Sequence, residues 1–221
     1  MTKAQDGTIT PEKVLSAYQH GMFPMARGLD GEIHWYISEP RAIIPLDSRF
    51  KVRRSLQKFY RKGEYQVSFD TCFEDVIRGC ARHSSVSSEE VWLSDEMIEI
   101  YIDLFNRGYG HSVEVKKDGE LIGGLYGVAM RSVFFGESMF SRKPYASQVA
   151  LLALVERLRQ QDYQLLDAQV RTPHLEQFGL LEVTHEEYLK LQKKVREQRI
   201  QMQMAERKKE EERKKKERKK E

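Results

Sequence analysis

Apolar residues recur at two different spacings along the chain, and these spacings divide it into helices and strands. Helical spacing predicts helices over 11–20, 55–62, 71–81, 95–106, 147–160 and 174–178. Alternating or continuous apolar runs predict strands over 33–36, 42–44, 65–69, 111–116, 121–130, 133–140, 164–170 and 180–183. The pair Asp118-Gly119 between two alternating segments is typical of a β-hairpin. We therefore expect an antiparallel three-stranded meander in the middle of the chain.

Three consecutive strands, a helix and a further strand form an α+β pattern, in which helices flank a mixed sheet. The same order of elements resembles the GCN5-related acetyltransferase-like (GNAT-type) fold, a likeness that carries little information about function. The Gly-Gly-Leu-Tyr-Gly run at 123–127 is expected to permit close packing rather than to bind phosphate. We predict a small N-terminal segment over 1–40, an acetyltransferase-like catalytic domain over 41–189 and a charged tail over 190–221.

Charge is distributed unevenly over the 221 residues. Residues 190–221 contain 15 Lys or Arg and 7 Asp or Glu, whereas the rest of the chain contains 22 and 27. Because apolar residues nearly vanish after Met204, we expect the tail to be an exposed helix or disordered, and to bury no core. It is either a solubilising extension or an arm that attracts nucleic acid.

Several classes of protein are disfavoured by features that the sequence lacks. No apolar run reaches the roughly 18 to 20 residues of a membrane span, and the polar segment 1–10 has no secretory signal. Cys72 and Cys80 are too few for a disulfide framework, and the histidines show no metal-ligand spacing. We therefore expect a cytoplasmic protein without a metal ion.

A short basic helix is the first candidate for a binding surface. Seven Lys or Arg and no acidic residue lie within 49–62, in a chain body whose net charge is negative. Arg54, Lys58 and Arg61 share one face of the predicted helix. Such a face is either an ordinary solvated surface or a contact to a phosphate backbone.

Polar residues within apolar strands are the candidates for chemistry. Asp167 and Gln169 are two positions apart and point to the same face of their strand, and Glu137 lies on another strand. Charges among apolar residues are costly unless they are paired or functional. A carboxylate and a carboxamide in an apolar cleft would orient an amine nucleophile. The alternative is a buried salt bridge with an arginine such as Arg142 or Arg171.

Several motifs, taken in order, resemble those of the leucyl/phenylalanyl-tRNA–protein transferases, the bacterial aminoacyltransferases of the N-degron pathway. The motifs are Gly21-Met22-Phe23-Pro24-Met25, Trp35, Pro40-Arg41-Ala42-Ile43-Ile44-Pro45-Leu46, Arg54-Ser55-Leu56, Trp92, His111-Ser112-Val113-Glu114-Val115, Leu121-Ile122-Gly123-Gly124-Leu125-Tyr126-Gly127-Val128-Ala129, Phe135-Gly136-Glu137-Ser138-Met139-Phe140-Ser141-Arg142, Ala146-Ser147 and Leu166-Asp167-Ala168-Gln169. The resemblance covers approximately residues 7–189. The charged tail has no counterpart in it.

The resemblance implies an activity and its partners. Such enzymes move Leu or Phe, and Met less well, from tRNA to the N-terminal Arg or Lys of a protein, which marks that protein for degradation. The aminoacylated tRNA end takes the place of acetyl-CoA, and no cofactor is expected. We further expect a monomer, with nonspecific tRNA affinity added by the tail.

The resemblance also assigns roles to residues. It places the aminoacyl side chain in a pocket of four residues, Leu125, Phe134, Met139 and Leu151. It places the terminal adenosine against Trp92 and Met25, the latter where the family has a second tryptophan, and the tRNA stem against Arg54, Lys58 and Arg61.

The implied catalytic pair is Asp167 and Gln169. Gln169 would hydrogen-bond the attacking amine, while Asp167 would stabilise the developing positive charge and orient Gln169. Glu137 would either bind the cationic side chain of the acceptor or support the pair.

Two other functions are compatible with the fold pattern. The first is an ordinary acetyltransferase, although residues 142–146, before the predicted helix 147–160, lack the glycines of a pyrophosphate-binding loop. The second is a noncatalytic RNA-binding module, whose function would not depend on Asp167 or Gln169.

Overall fold

The computed structural model describes residues 9–27, 32–84 and 93–217. Its helices are α1 (Pro11–Gln19), α2 (Arg54–Lys62), α3 (Phe73–Ser84), α4 (Asp95–Asn106), α5 (Ala146–Gln160), α6 (Pro173–Glu176) and α7 (His185–Glu217). Its strands are β1 (Phe23–Arg27), β2 (Glu32–Tyr36), β3 (Arg41–Ile44), β4 (Gln66–Phe69), β5 (Gly110–Lys117), β6 (Glu120–Met130), β7 (Val133–Ser141), β8 (Leu165–Gln169) and β9 (Leu181–Val183). All but β1 correspond to elements predicted from the sequence, with the tail helix α7 starting earlier than expected.

Seven strands form one sheet in the order β4-β5-β6-β7-β8-β3-β9, while β1 pairs with β2 in a separate hairpin. Among the described strands, β7 and β8 are the parallel pair, and the other neighbours in the large sheet are antiparallel. Helices lie on both faces of this sheet. The predicted α+β class, with a mixed sheet flanked by helices, is confirmed.

Each face of the large sheet carries its own hydrophobic core. One core contains buried side chains of α1, α3, α4 and the first turns of α7, and the other contains those of α2 and α5. Adjacent residues of one strand therefore belong to different cores, as Leu125 and Tyr126 do on β6, and Leu166 and Leu165 on β8. Any opening between two strands would thus be lined from both cores.

Glycines on β6 make room for large neighbours. A Cβ at Gly123 would lie 2.5 Å from the Cβ of Ala146, so glycine allows the start of α5 to approach the strand. A Cβ at Gly127 would collide with the ring of Phe134 on β7. The interpretation of this glycine run as a close-packing device is confirmed.

The long helix α7 differs from the expectation for the tail. Its first turns pack on the core, with Tyr188 fully buried and Val195 almost so. The expectation that the tail buries no core is therefore wrong for Val195, because this apolar residue faces the sheet before the charged repeats begin. Farther along, Ile200 and Met204 are 50% and 67% exposed. None of the described helices is long and apolar enough to cross a membrane.

Candidate active site

A pocket of about 560 Å³ lies where the pairing between β7 and β8 stops. The two strands pair as far as Phe135 and Asp167, and the residues that follow on both strands line the pocket. Side chains from both cores reach it, among them Leu151 from one and Tyr126 from the other. The pocket therefore spans the sheet and has two chemically different sides.

The apolar side of the pocket is formed on the α5 face of the sheet. Leu125, Met139 and Leu151, three of the four residues implied for aminoacyl binding, line it together with Ile44. The fourth, Phe134, is 2% exposed and packs in the core behind this wall instead of lining it. An apolar wall accepts side chains such as Leu and Phe and discriminates weakly between similar ones.

The polar side of the pocket contains Gln169 and Glu137 in direct contact. Gln169 Nε2 donates a hydrogen bond to Glu137 Oε1 at 2.8 Å. While Glu137 is ionised its carboxylate only accepts, so the nitrogen of the Gln169 carboxamide faces Glu137. No described residue donates a hydrogen bond to Gln169 Oε1. The carboxamide oxygen is therefore the free acceptor at this point of the pocket.

Two tyrosines hold the other oxygen of Glu137. Tyr101 OH donates to Glu137 Oε2 at 2.8 Å, and Tyr18 OH lies 2.9 Å from Tyr101 OH. Burial raises the pKa of both phenols, so they remain protonated donors at neutral pH. Burial also raises the pKa of Glu137 to about 7, against the effect of the tyrosine hydrogen bonds and with a contribution from the charge of Asp167. Glu137 thus changes charge near neutral pH.

Asp167 is enclosed and fully hydrogen-bonded. Its Oδ1 accepts from Arg41 Nε and from the backbone N–H of Gln169, both at 2.9 Å. Its Oδ2 accepts from Arg41 Nη2 at 2.6 Å and from Tyr188 OH at 2.5 Å. A carboxylate offers about four acceptor positions, and all are occupied here. The implied contact between Asp167 and a developing positive charge on the substrate is therefore disfavoured, whereas its role in orienting Gln169 is supported.

The buried salt bridge that the sequence left open as an alternative is present at Asp167, but with a partner other than Arg142 or Arg171. Arg171 pairs with Glu176 and Glu182 instead, and Arg142 donates to a backbone carbonyl. The actual partner, Arg41, lies on the neighbouring strand β3 with its side chain completely buried. Sequence reasoning also missed Tyr188 and Tyr101, because a buried tyrosine at helical spacing looks like an ordinary core residue.

The two residues implied for adenosine binding have different outcomes. Met25 lies on β1 and lines the pocket beside Phe23 and Pro24. Trp92 falls outside the described residues. Strand β1 thus supplies part of the pocket wall.

The predicted basic surface is exposed on α2. Arg54, Lys58 and Arg61 are all solvent-exposed, while Leu56 anchors the helix in the core. The helix packs against α5, where Tyr60 OH donates to Glu156 at 2.8 Å. Because another face of α5 lines the pocket, the basic surface and the pocket are attached to the same helix.

Metal binding finds no support in the part of the chain that the structure describes. No group of three or more His, Cys, Asp or Glu side chains is arranged there to hold an ion.

The pocket thus combines an apolar wall with a free carboxamide oxygen, as in the class of proteins that bind an apolar group beside a hydrogen-bond donor. Comparison with known proteins identifies the family. Residues 43–193 match the family model described as leucyl/phenylalanyl-tRNA protein transferase, and residues 7–39 match the model of its N-terminal domain. The chain belongs to this family.

Two curated relatives carry the same name, leucyl/phenylalanyl-tRNA--protein transferase. The protein of Herpetosiphon aurantiacus is 48% identical over 183 residues, which cover 83% of this chain and 92% of the relative. That of Rubrobacter xylanophilus is 49% identical over 183 residues, covering 82% and 92%.

A solved structure is similar at a much lower level. The GCN5-related N-acetyltransferase-like protein from Streptococcus suis is 13% identical, with a TM-score of 0.36 over 78% of this chain and 64% of that one.

Proposed function

We propose that this protein transfers leucine or phenylalanine, and methionine less well, from aminoacyl-tRNA to the N-terminal Arg or Lys of acceptor proteins, marking them for degradation. The observation that carries the proposal is a single pocket lined both by an apolar wall and by Gln169, whose carboxamide oxygen is free. The family name supports the identity of the donor, because it specifies leucyl- and phenylalanyl-tRNA.

The reaction is the aminolysis of an ester. The free α-amine of the acceptor attacks the carbonyl carbon of the aminoacyl ester, so one amide bond forms and the bond from that carbon to the ribose oxygen breaks. The proton lost by the amine replaces the acyl group on the ribose oxygen. Because an α-amine has a pKa of about 8 and the ester is already activated, the enzyme contributes mainly by holding the two reactants together.

In this mechanism Gln169 binds the amine and Glu137 orients Gln169. Gln169 Oε1 accepts a hydrogen bond from the amine, and Glu137 keeps the carboxamide in the orientation that presents its oxygen. Glu137 in its ionised form also favours a cationic acceptor residue over a neutral or acidic one. The negative charge of Glu137 supports the choice of Arg and Lys as acceptors.

The donor would approach with its side chain toward Leu125, Met139 and Leu151 and its adenosine near Met25. The stem of the tRNA would follow the exposed basic face of α2, since phosphate contacts by Lys and Arg are the main source of affinity for a nucleic acid. The attachment of α2 to α5 supports this path.

The test is a transfer assay with radiolabelled Phe-tRNA or Leu-tRNA. Acceptor proteins that begin with Arg or Lys are compared with matched proteins that begin with Asp or Ala. We expect acid-precipitable label in the Arg and Lys proteins alone. Binding of tRNA without labelling of any acceptor would instead favour a noncatalytic RNA-binding module. A thermal shift with acetyl-CoA would favour an acetyltransferase.

A further inference from the structure

One buried carboxylate connects three distant parts of the chain. Asp167 on β8 is clamped by Arg41 from β3 and by Tyr188 from α7. The Arg41 guanidinium lies 4.6 Å from the centre of the Tyr188 ring and 4.8 Å from that of Phe23, so it is held between two aromatic faces. Arg41, Asp167 and Tyr188, here called the Asp167 clamp, have no solvent exposure.

The Asp167 clamp ends at a strained residue. Gln169 has φ of 55°, a left-handed conformation that is unfavourable for a residue with a Cβ. Its backbone N–H is bonded to Asp167 Oδ1, and its carboxamide nitrogen is bonded to Glu137. The backbone and the side chain of Gln169 are thus fixed from opposite directions. This double attachment determines where the carboxamide oxygen lies.

The phenol of Tyr188 has its hydrogen directed at Asp167. Gln192, one turn later on α7, donates from Nε2 to Tyr188 OH at 2.8 Å. The hydroxyl therefore accepts from Gln192 and gives its only hydrogen to Asp167 Oδ2. Gln192 also donates to the backbone carbonyl of Tyr18 at 3.0 Å, which fixes this part of α7 against α1.

We propose that Arg41 and Tyr188 are positioning residues for the transfer reaction: they fix Asp167, and Asp167 fixes the backbone of Gln169. The inference rests on the proposed function of the pocket. Neither residue lines the pocket itself, and Asp167 has no acceptor position left for a substrate. Tyr188, on the first turn of α7, is therefore part of the catalytic architecture, although it lies behind the pocket.

The test compares two substitutions on α7 in the full-length protein. Tyr188→Phe removes the hydrogen bond to Asp167 and keeps the aromatic face over Arg41. Val195→Ala is the matched control, because Val195 is buried on the same helix about two turns beyond Tyr188 and has no hydrogen bond to Asp167. Transfer kinetics with Phe-tRNA, the Kd for the same Phe-tRNA and thermal unfolding are measured for both.

We expect Tyr188→Phe to lower kcat about tenfold or more, as the loss of a hydrogen bond to a charged group does, with the Kd for Phe-tRNA unchanged. Val195→Ala should lower the unfolding temperature and leave the kcat of the folded enzyme unchanged. A wild-type kcat for Tyr188→Phe would overturn the inference, as would losses of kcat in both variants that merely follow their unfolding. Failure of the wild-type protein to transfer at all would instead refute the proposed function.

Arg41→Lys adds a second test that separates geometry from charge. Lysine keeps a positive charge beside Asp167 but cannot reproduce the paired hydrogen bonds of the guanidinium. We expect kcat to fall in this variant while the Kd for Phe-tRNA is retained. Wild-type kcat in Arg41→Lys would mean that Asp167 needs a countercharge and not a clamp.

Discussion

Glu137 should make the protein less stable as the pH rises, and Glu137→Gln should remove this dependence. The pKa of Glu137 in the folded protein is about 7, against 4.5 for an exposed glutamate. Between these values the folded state binds more protons than the unfolded state. The free energy of unfolding therefore decreases as the pH rises through this interval, and the decrease due to Glu137 is complete above about pH 7.

The size of the effect follows from the pKa difference. Each pKa unit corresponds to about 1.4 kcal/mol, so the change from 4.5 to about 7 gives about 3 to 4 kcal/mol as an upper value. Glutamine is neutral at every pH and has nearly the same shape. The stability of Glu137→Gln relative to wild type should therefore improve by about 2 to 3 kcal/mol between roughly pH 4 and pH 8.

Urea unfolding of both proteins at a series of pH values measures this difference directly. Other titrating groups are common to both proteins and cancel when the two curves are subtracted. Glu120→Gln is the matched control, since its carboxylate is exposed on β6 of the same sheet, and its curve should run parallel to wild type. Parallel curves for Glu137→Gln and wild type would refute the argument that burial of the ionised carboxylate costs stability.

Further predictions concern activity and tRNA binding. In Glu137→Gln the new side chain can donate a hydrogen bond, so the Gln169 carboxamide can turn its oxygen toward position 137 and away from the amine. This variant should therefore lose most of the transfer rate, and a rate equal to wild type would contradict the proposed orientation of Gln169. Leu151→Ala removes part of the apolar wall and so enlarges the pocket. It should favour Phe over Leu by about tenfold in kcat/KM when both tRNAs compete, whereas an unchanged ratio would exclude this wall as the binding site of the aminoacyl side chain. Replacing Arg54, Lys58 or Arg61 by Gln should reduce the slope of log Kd against log salt by about one per residue, measured by fluorescence anisotropy, with kcat unchanged at saturating tRNA. Truncation after position 200 leaves Val195 in place and should reduce salt-dependent tRNA binding; an unchanged slope would remove the tail from the binding surface.

Strand periodicity is sufficient to predict the central pair of the site. Alternate residues of a strand share a face, and this rule by itself places Asp167 and Gln169 together. The rule contains no information about which residue faces them from another strand. Arg41 is 126 positions away in the sequence and becomes a neighbour because β3 inserts between β8 and β9. Because sequence spacing does not show which strands become neighbours, it favoured Arg142 and Arg171, which are closer to Asp167 in the sequence.

The limits of α7 and the existence of β1 were missed for two different physical reasons. Lys- and Glu-rich repeats indicate an exposed helix, but a change in composition does not locate where the apolar face of that helix ends. Val195 is buried although it lies beyond position 190, where the exposed tail was expected to begin. In β1 the residue Pro24 and the short length hide the strand pattern, since proline is unusual in strands except at edges. The hairpin with β2 supplies the pairing that the pattern does not indicate.

The site depends on the place where backbone pairing between β7 and β8 ends. Up to Phe135 and Asp167 the strands are joined by ladder hydrogen bonds, and a continued ladder would close the sheet to any ligand. Beyond that point, a bond between side chains, from Gln169 to Glu137 at 2.8 Å, crosses the gap. A side-chain bridge keeps the two strands in fixed relation while leaving space for an acyl group between the cores. The polar residues that are costly in a sheet thus lie where the sheet opens, and the same placement leaves the Gln169 oxygen as a free acceptor in a pocket with an apolar wall.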